Sequence, residues 1–212
     1  MKILFMVMAV WLAIGAGGCG MVRRPVTIEP VGRKQAVIQP KFSSITYRVD
    51  QDGTLYFVGR ASTYDKALNE TVEQMLTARV FWRPKGGVTS MNPTSLNATY
   101  RYVVMTSTAV GMYEGAGFIR IRGKPGKGKI DARLMDGDLR LSEASTSFVD
   151  NIGRCRVRGN FTARYDEAAT METMLQSHRD FFYRSQNLKP EEKKGAETAP
   201  GTQPATRTSR LE

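Results

Sequence analysis

CRVRGNFTARY, residues 155–165, decides the fold class. Cys155, Val157, Gly159, Phe161, Ala163 and Tyr165 fall on one parity, and Arg156, Arg158, Asn160, Thr162 and Arg164 on the other. Side chains of a strand point alternately to its two faces, so the segment predicts a strand with one apolar and one cationic face. A sheet with one solvated face is the antiparallel kind.

The same period recurs upstream. Ile45, Tyr47 and Val49 alternate with Thr46 and Arg48, and residues 55–61 resume the pattern beyond an Asp52-Gly53 turn. Short Asp-Gly turns between alternating runs are strong hairpin signals. Ala98, Tyr100, Tyr102 and Val104 share a face within 96–106, and residues 110–122 follow with kinks expected at Gly115 and Gly117. Ile130, Ala132 and Leu134 alternate up to Asp136-Gly137, which predicts a second hairpin turn, with Leu139 and Leu141 beyond it. Residues 72–82 read as a strand, although 66–76 also fit a helical turn or two. About eight or nine strands with short connections predict an all-β domain, an antiparallel sandwich or barrel, over residues 42–165.

Spacing changes after Tyr165. Ala168, Met171, Leu175, His178 and Phe182 recur at steps of three and four, predicting a C-terminal amphipathic helix over 166–187 with this stripe as its buried face. Asp166 and Glu167 suit its first turn and Arg184 its end. Residues 188–212, rich in Pro, Thr, Lys, Glu and Gly, predict a disordered tail. Residues 19–41, broken by Pro25, Pro30 and Pro40 and carrying Arg23, Arg24, Arg33 and Lys34, predict an extended basic tether.

The amino terminus carries an address. Met1 and Lys2 precede an apolar run, ILFMVMAVWLAI, and then Gly15, Ala16, Gly17, Gly18 and Cys19. A positive start, a short apolar stretch and small residues describe a secretory signal peptide, here residues 1–18. Ala16-Gly17-Gly18-Cys19 resembles the lipobox of bacterial lipoproteins, in which Leu is commoner at the position of Ala16. The resemblance implies cleavage before Cys19 and diacylglycerol on its sulfur, with the amino group often acylated as well. Gly20 in place of Asp implies the outer membrane, facing the periplasm, over the inner membrane. The uncharged run of residues 3–22 also approaches the ~20 residues that span a bilayer, so an uncleaved anchor stays open as a rival.

Chemistry is sparse. The chain has 2 cysteines and 1 histidine, so structural zinc, which takes about four such ligands, is not expected, nor is any cofactor. His178 sits on the expected helix stripe and reads as a packing or boundary residue. Parity places Cys155 in the core. GKPGKGKI, residues 123–130, approaches the phosphate loop but ends in Ile130 where a hydroxyl should hold magnesium, and it leads into a strand pattern. Glu70, Glu73, Asp131 and Asp138 are the carboxylates that would have to meet in an acid–base site. Asn69, Asn97 and Asn160 begin chance matches to the glycosylation sequon.

The net charge of +11 favours anionic partners. Lys124, Lys127 and Lys129 on a glycine loop, with Arg156, Arg158 and Arg164 on one parity of their strand, are the candidate anion-binding residues; Arg120 and Arg122 share another parity. The expectation is a non-catalytic binding or assembly module of the cell envelope, held to the membrane through lipid on Cys19. Its partners would be anionic envelope lipid, polysaccharide or another envelope protein, with no nucleic acid. The alternative is a carrier of a hydrophobic ligand: a barrel with a C-terminal helix resembles the lipocalins in architecture, though the GxW signature of their first strand is absent.

Overall fold

The computed structural model describes residues 25–32, 37–66, 68–81, 83 and 96–187. The signal peptide, Cys19, Arg23, Arg24, Arg33, Lys34 and the 188–212 tail lie outside the described residues. Among the described residues there are eight strands and one helix: β1 (Thr27–Pro30), β2 (Ser44–Val49), β3 (Leu55–Asp65), β4 (Glu70–Val80), β5 (Ala98–Met105), β6 (Val110–Arg122), β7 (Lys129–Ala144), β8 (Cys155–Tyr165) and α1 (Glu167–Asn187).

The strands form one sheet in the order β1-β8-β2-β3-β4-β5-β6-β7, and β7 also pairs with β8. The sheet therefore closes on itself as a seven-strand barrel, β2 to β8, with β1 outside the ring. It is not a sandwich. An odd number of strands cannot alternate direction all the way round, so one neighbouring pair must run parallel. That pair is β2 and β8, joined only at Thr46–Arg164 and Tyr47–Tyr165. The other half of the same β8 edge is taken by β1, with Thr27 opposite Arg158 and Pro30 opposite Cys155. Thr27–Pro30, expected in the tether, is thus a strand; Pro25 precedes it, Pro30 is its last residue, and Ile28 is fully buried.

The second Asp-Gly expectation is corrected. Asp50 and Thr54 close the β2–β3 turn, with Gly53 at φ +83°. Asp136-Gly137 is no turn: β7 runs straight through it with a bulge, facing Phe118 to Ala116 on β6 and Val157 to Gly159 on β8. Asp-Gly favours positive φ, which serves a hairpin turn and a bulge alike. Asp136 adopts φ +50°. The long strands on both sides, each paired with both halves of β7, make the bulge the outcome. Of the two readings of 66–76 the strand prevails from Glu70 onward, where β4 begins.

The bulge also makes room inside the barrel. A Cβ on Gly137 would lie 2.5 Å from Val157 and 2.7 Å from the Tyr100 ring. On Gly117 it would lie 2.8 Å from the same ring. These glycines receive the face of Tyr100, which is buried. Around it the interior is filled by the inward parities of all seven strands, with Tyr47, Tyr102, Tyr113 and Phe57 among the largest buried side chains. Rings meet edge-on, Tyr47 with Tyr165 at 5.4 Å and Phe57 with Phe161 at 5.4 Å between centroids. Asn97 bridges backbone across the sheet: its amide donates to the Ile119 carbonyl and its oxygen accepts from the Ile119 N–H.

α1 lies across the outside of the barrel, over a second apolar cluster made by Val58, Met75, Val103, Met105, Val110 and Met112. Its buried face is not the expected stripe. Thr170 and Ser177 are buried, with Met174 and Phe181 partly so, whereas Met171, Leu175 and Phe182 are 40%, 53% and 50% exposed. The connection to β8 sets this rotation. The Asp166 N–H donates to the Tyr47 carbonyl, and the Asp166 carboxylate caps the Ala169 N–H. One turn later Thr170 then falls onto Thr46, hydroxyl to hydroxyl at 2.9 Å. At the far end Arg184 donates to the Thr106 carbonyl. Backbone geometry at the entry point thus outweighs hydropathy, and an apolar face is left in solvent.

Candidate functional site

The outward parities of β6, β7 and β8 form one wall, and the two arginine rows coincide on it. Arg120 stands opposite Arg133, and Arg133 opposite Asn160. Arg122 faces Asp131, and Asp131 faces Thr162, whose hydroxyl donates to it at 2.6 Å. Lys129 faces Arg164. Registration across β7, which the alternation of single strands does not specify, brings these groups together.

The wall has two halves of different character. Towards the start of β8, Arg154 and Arg158 are matched by carboxylates, while Arg140 and Arg156 form no ion pair among the described residues. Arg158 binds Asp136 and reaches Glu29, and Arg154 holds Asp138 at 2.6 Å. Those hydrogen bonds keep the Asp138 carboxyl below its ordinary range, with Arg140 and Arg156 adding to the effect. Towards the end of β8 the balance tips. Arg120, Arg133, Lys124, Lys127 and Lys129 have no ion-pair partner among the described residues, and Asp131 is already bound by Thr162.

The sequence-derived candidates distribute over both halves. Lys124 and Lys127 occupy the loop joining β6 to β7, where Gly123, Gly126 and Gly128 take φ of +109°, +92° and +63°. The loop is pinned to the barrel end: the Tyr47 hydroxyl donates to the Lys127 carbonyl, and the Tyr165 N–H to the Gly128 carbonyl. It leads into a strand, as its sequence implied. Arg158 is engaged by carboxylates and Arg164 by Asp166 at 3.2 Å, while Arg156 is exposed opposite Asp138. Arg133, on the outward parity of the 130–134 run, joins the wall only through its register with Arg120 and Asn160, which the alternation of its own strand does not specify.

The remaining candidates stay apart. Glu73 pairs with Arg60 and Glu70 accepts from Ser107, both on β4, on the far side of the ring from Asp131 and Asp138 on β7. Cys155 is fully buried, and burial pushes its thiol up to about 12. His178 is exposed and lines a cleft of about 320 Å³ between α1 and the barrel, with Met75, Val103, Met112 and Phe181. Asn97, a sequon position, is buried and structural.

Two further spaces bear on ligand binding. Within the barrel, the space lined by Phe42, Ile45, Phe57 and Phe161 holds about 10 Å³, room for about one water-sized sphere. At the end where β3 turns into β4, a pocket of about 390 Å³ is lined by Ile38, Val72, Tyr102, Val104 and Ile152. Among the described residues, no helix is long and apolar enough to cross a membrane and no cluster of metal-ligating side chains occurs. The barrel is apolar inside and charged along its β6–β8 wall, the inverse of a strand-built membrane channel.

Comparison with known proteins found no matching family model, no matching curated protein and no matching solved structure.

Proposed function

We propose that the chain is a lipid-anchored, extracytoplasmic module of a bacterial cell envelope, non-catalytic, that binds an anionic envelope component on the outer wall of β6, β7 and β8. The observation that carries this reading is the Arg120–Arg133 pair, two cations directly opposite each other with no carboxylate to match them among the described residues. Like charges opposite each other destabilise a sheet. Their positions therefore weaken the fold slightly and concentrate positive charge where an anion can satisfy both, and guanidinium groups suit phosphate and carboxylate ligands. The lipobox-like Ala16-Gly17-Gly18-Cys19 supports the anchor, and Gly20 supports the outer membrane facing the periplasm. The test is retention of the detergent-extracted protein on an immobilised sulfated polysaccharide. An Arg120→Gln, Arg133→Gln variant with an unchanged circular dichroism spectrum should elute at clearly lower salt; elution at the same salt overturns the reading.

A carrier of a hydrophobic ligand is the second reading. The pocket at the β3–β4 end, where Ile38, Val72, Val104 and Ile152 lie beside Asp65, Lys66 and Gln74, favours it. The ligand would sit in that mouth and not along the barrel axis, which side chains occupy. Native mass spectrometry of the protein taken from its own membrane would show bound lipid on this reading, and bare protein would count against it.

A further inference from the structure

We propose that the end of the β6–β7–β8 wall nearest the β6–β7 loop lies against anionic phospholipid headgroups, with α1 held on the side away from the membrane. The inference rests on the lipid-anchor reading and adds an orientation to it.

The first argument is where the chain enters. β1 runs antiparallel to β8, with Thr27 opposite Arg158, so the residues before Thr27 continue towards Gly159 and Asn160. Gly159 has φ +129°, and a Cβ there would lie 2.4 Å from the Pro25 carbonyl oxygen. Pro25 is thus seated on the β8 edge, level with the row Asn160, Arg133, Arg120.

The second argument is length. Because Thr27–Pro30 belongs to the sheet, the tether is far shorter than the sequence implied. Gly20, Met21, Val22, Arg23 and Arg24 are all that separate Cys19 from Pro25. Six Cα steps reach about 20 Å at full stretch. Neighbouring strands lie about 4.8 Å apart, so Arg133 and Arg120 are within about 10–15 Å of the point of entry. A lipid on Cys19 cannot leave the bilayer, and this part of the barrel cannot move far from the bilayer surface.

The third argument is charge. At physiological salt, attraction between fixed charges decays over about 8 Å, so only groups held near the surface respond to it. The short tether lets Arg120, Lys124, Lys127, Lys129 and Arg133 come within that range. Basic groups beside a lipid anchor are drawn to anionic leaflets. The opposite side of the ring is covered by α1, which rests on β2, β3 and the Val110 end of β6. The wall that lacks a covering element is the one placed at the membrane.

Amine footprinting tests this without altering the protein. Lipid-bearing protein, its acyl mass verified, is reconstituted into phosphatidylcholine vesicles and into vesicles that also contain phosphatidylglycerol, then labelled briefly with acetic anhydride. Lys66, exposed on the β3–β4 turn at the other end of the barrel, is the internal reference. Labelling of Lys124, Lys127 and Lys129 relative to Lys66 should fall several-fold on the anionic vesicles, recover in high salt, and be unaffected by the neutral ones. Acylated protein that floats with both vesicles and shows the same ratio on each overturns the inference and leaves the anchor standing. Protein that carries no acyl chain and floats with neither removes the anchor reading and this inference with it.

Discussion

Arg120 on β6 and Arg133 on β7 are cross-strand neighbours with both side chains directed outward, and neither has a carboxylate partner among the described residues. Opposed like charges cost a sheet a few tenths to about 1 kcal/mol. Arg120→Gln should therefore raise the thermal midpoint slightly at low salt, and the gain should shrink as salt rises. The same substitution should weaken attachment to anionic ligands. A change that improves the fold while harming binding separates a surface shaped by a ligand from one shaped by stability. Calorimetry at two salt concentrations, beside polyanion binding, measures both; a destabilised variant would contradict the pairing.

Tyr100 and Gly137 give a second pair of opposed outcomes. Gly137→Ala drives a methyl group to within 2.7 Å of the Tyr100 ring and 2.5 Å of Val157, so it should destabilise by about 1–3 kcal/mol. The Tyr100 hydroxyl is buried without a hydrogen-bond partner among the described residues. Tyr100→Phe removes that polar atom and keeps the ring, so it should be neutral or stabilising, by up to about 1–3 kcal/mol. Tyr102 and Tyr113 differ, since their hydroxyls donate to Gln74 and Asp150 at 2.7 and 2.6 Å. Their phenylalanine variants should each lose on the order of 1 kcal/mol. Urea unfolding of the three variants orders them.

Alkaline pH should loosen the barrel. The Cys155 thiol is pushed up to about 12 by burial, with Asp150 and Asp138 adding to the shift, against about 8.5 in an unfolded chain. Between those values the unfolded chain has released the proton and the native chain has not. Stability from this group is complete below about pH 8.5 and declines as pH rises towards 12. Burial raises Tyr100, Tyr102 and Tyr113 as well, which steepens the decline above about pH 10. Urea midpoints from pH 7 to 10.5 should fall, and iodoacetamide at pH 8 should modify Cys155 only after denaturant is added. A flat profile or rapid native alkylation would contradict the burial.

The helix makes a further contrast. Leu175 and Phe182 are about half exposed, so Leu175→Ser and Phe182→Ser should shift stability by less than about 0.5 kcal/mol. Phe181→Ala, which uncovers the Met75 and Val103 cluster, should cost on the order of 2 kcal/mol. The hydropathy stripe read from sequence would give the reverse order for Phe182 and Phe181.

Much of the fold was legible because strand parity is a local property. Inward and outward residues of β8 and β5 follow from alternation alone, and the Asp52-Gly53 turn from its dipeptide. Ring closure, the parallel β2–β8 contact and the recruitment of Thr27–Pro30 to an edge depend on pairing between distant segments, which no window of sequence contains. Asp136-Gly137 failed as a turn because its positive φ is shared by two structures, and only the strands on either side choose between them. The wall was half legible. Its arginines were visible on β6 and β8, but the register that sets Arg133 between them depends on pairing with two other strands. The rotation of α1 was hidden for a related reason: Asp166 and Thr46 fix it, and hydropathy carries no record of either contact.

A lipid on Cys19 underlies both the proposed function and the orientation of the wall, and the mass of the mature chain tests it most directly. Protein purified from its native membrane should begin at Cys19 and carry diacylglycerol on that residue, with or without a further acyl chain on the amino group. A chain whose Cys19 is present and unmodified would contradict it.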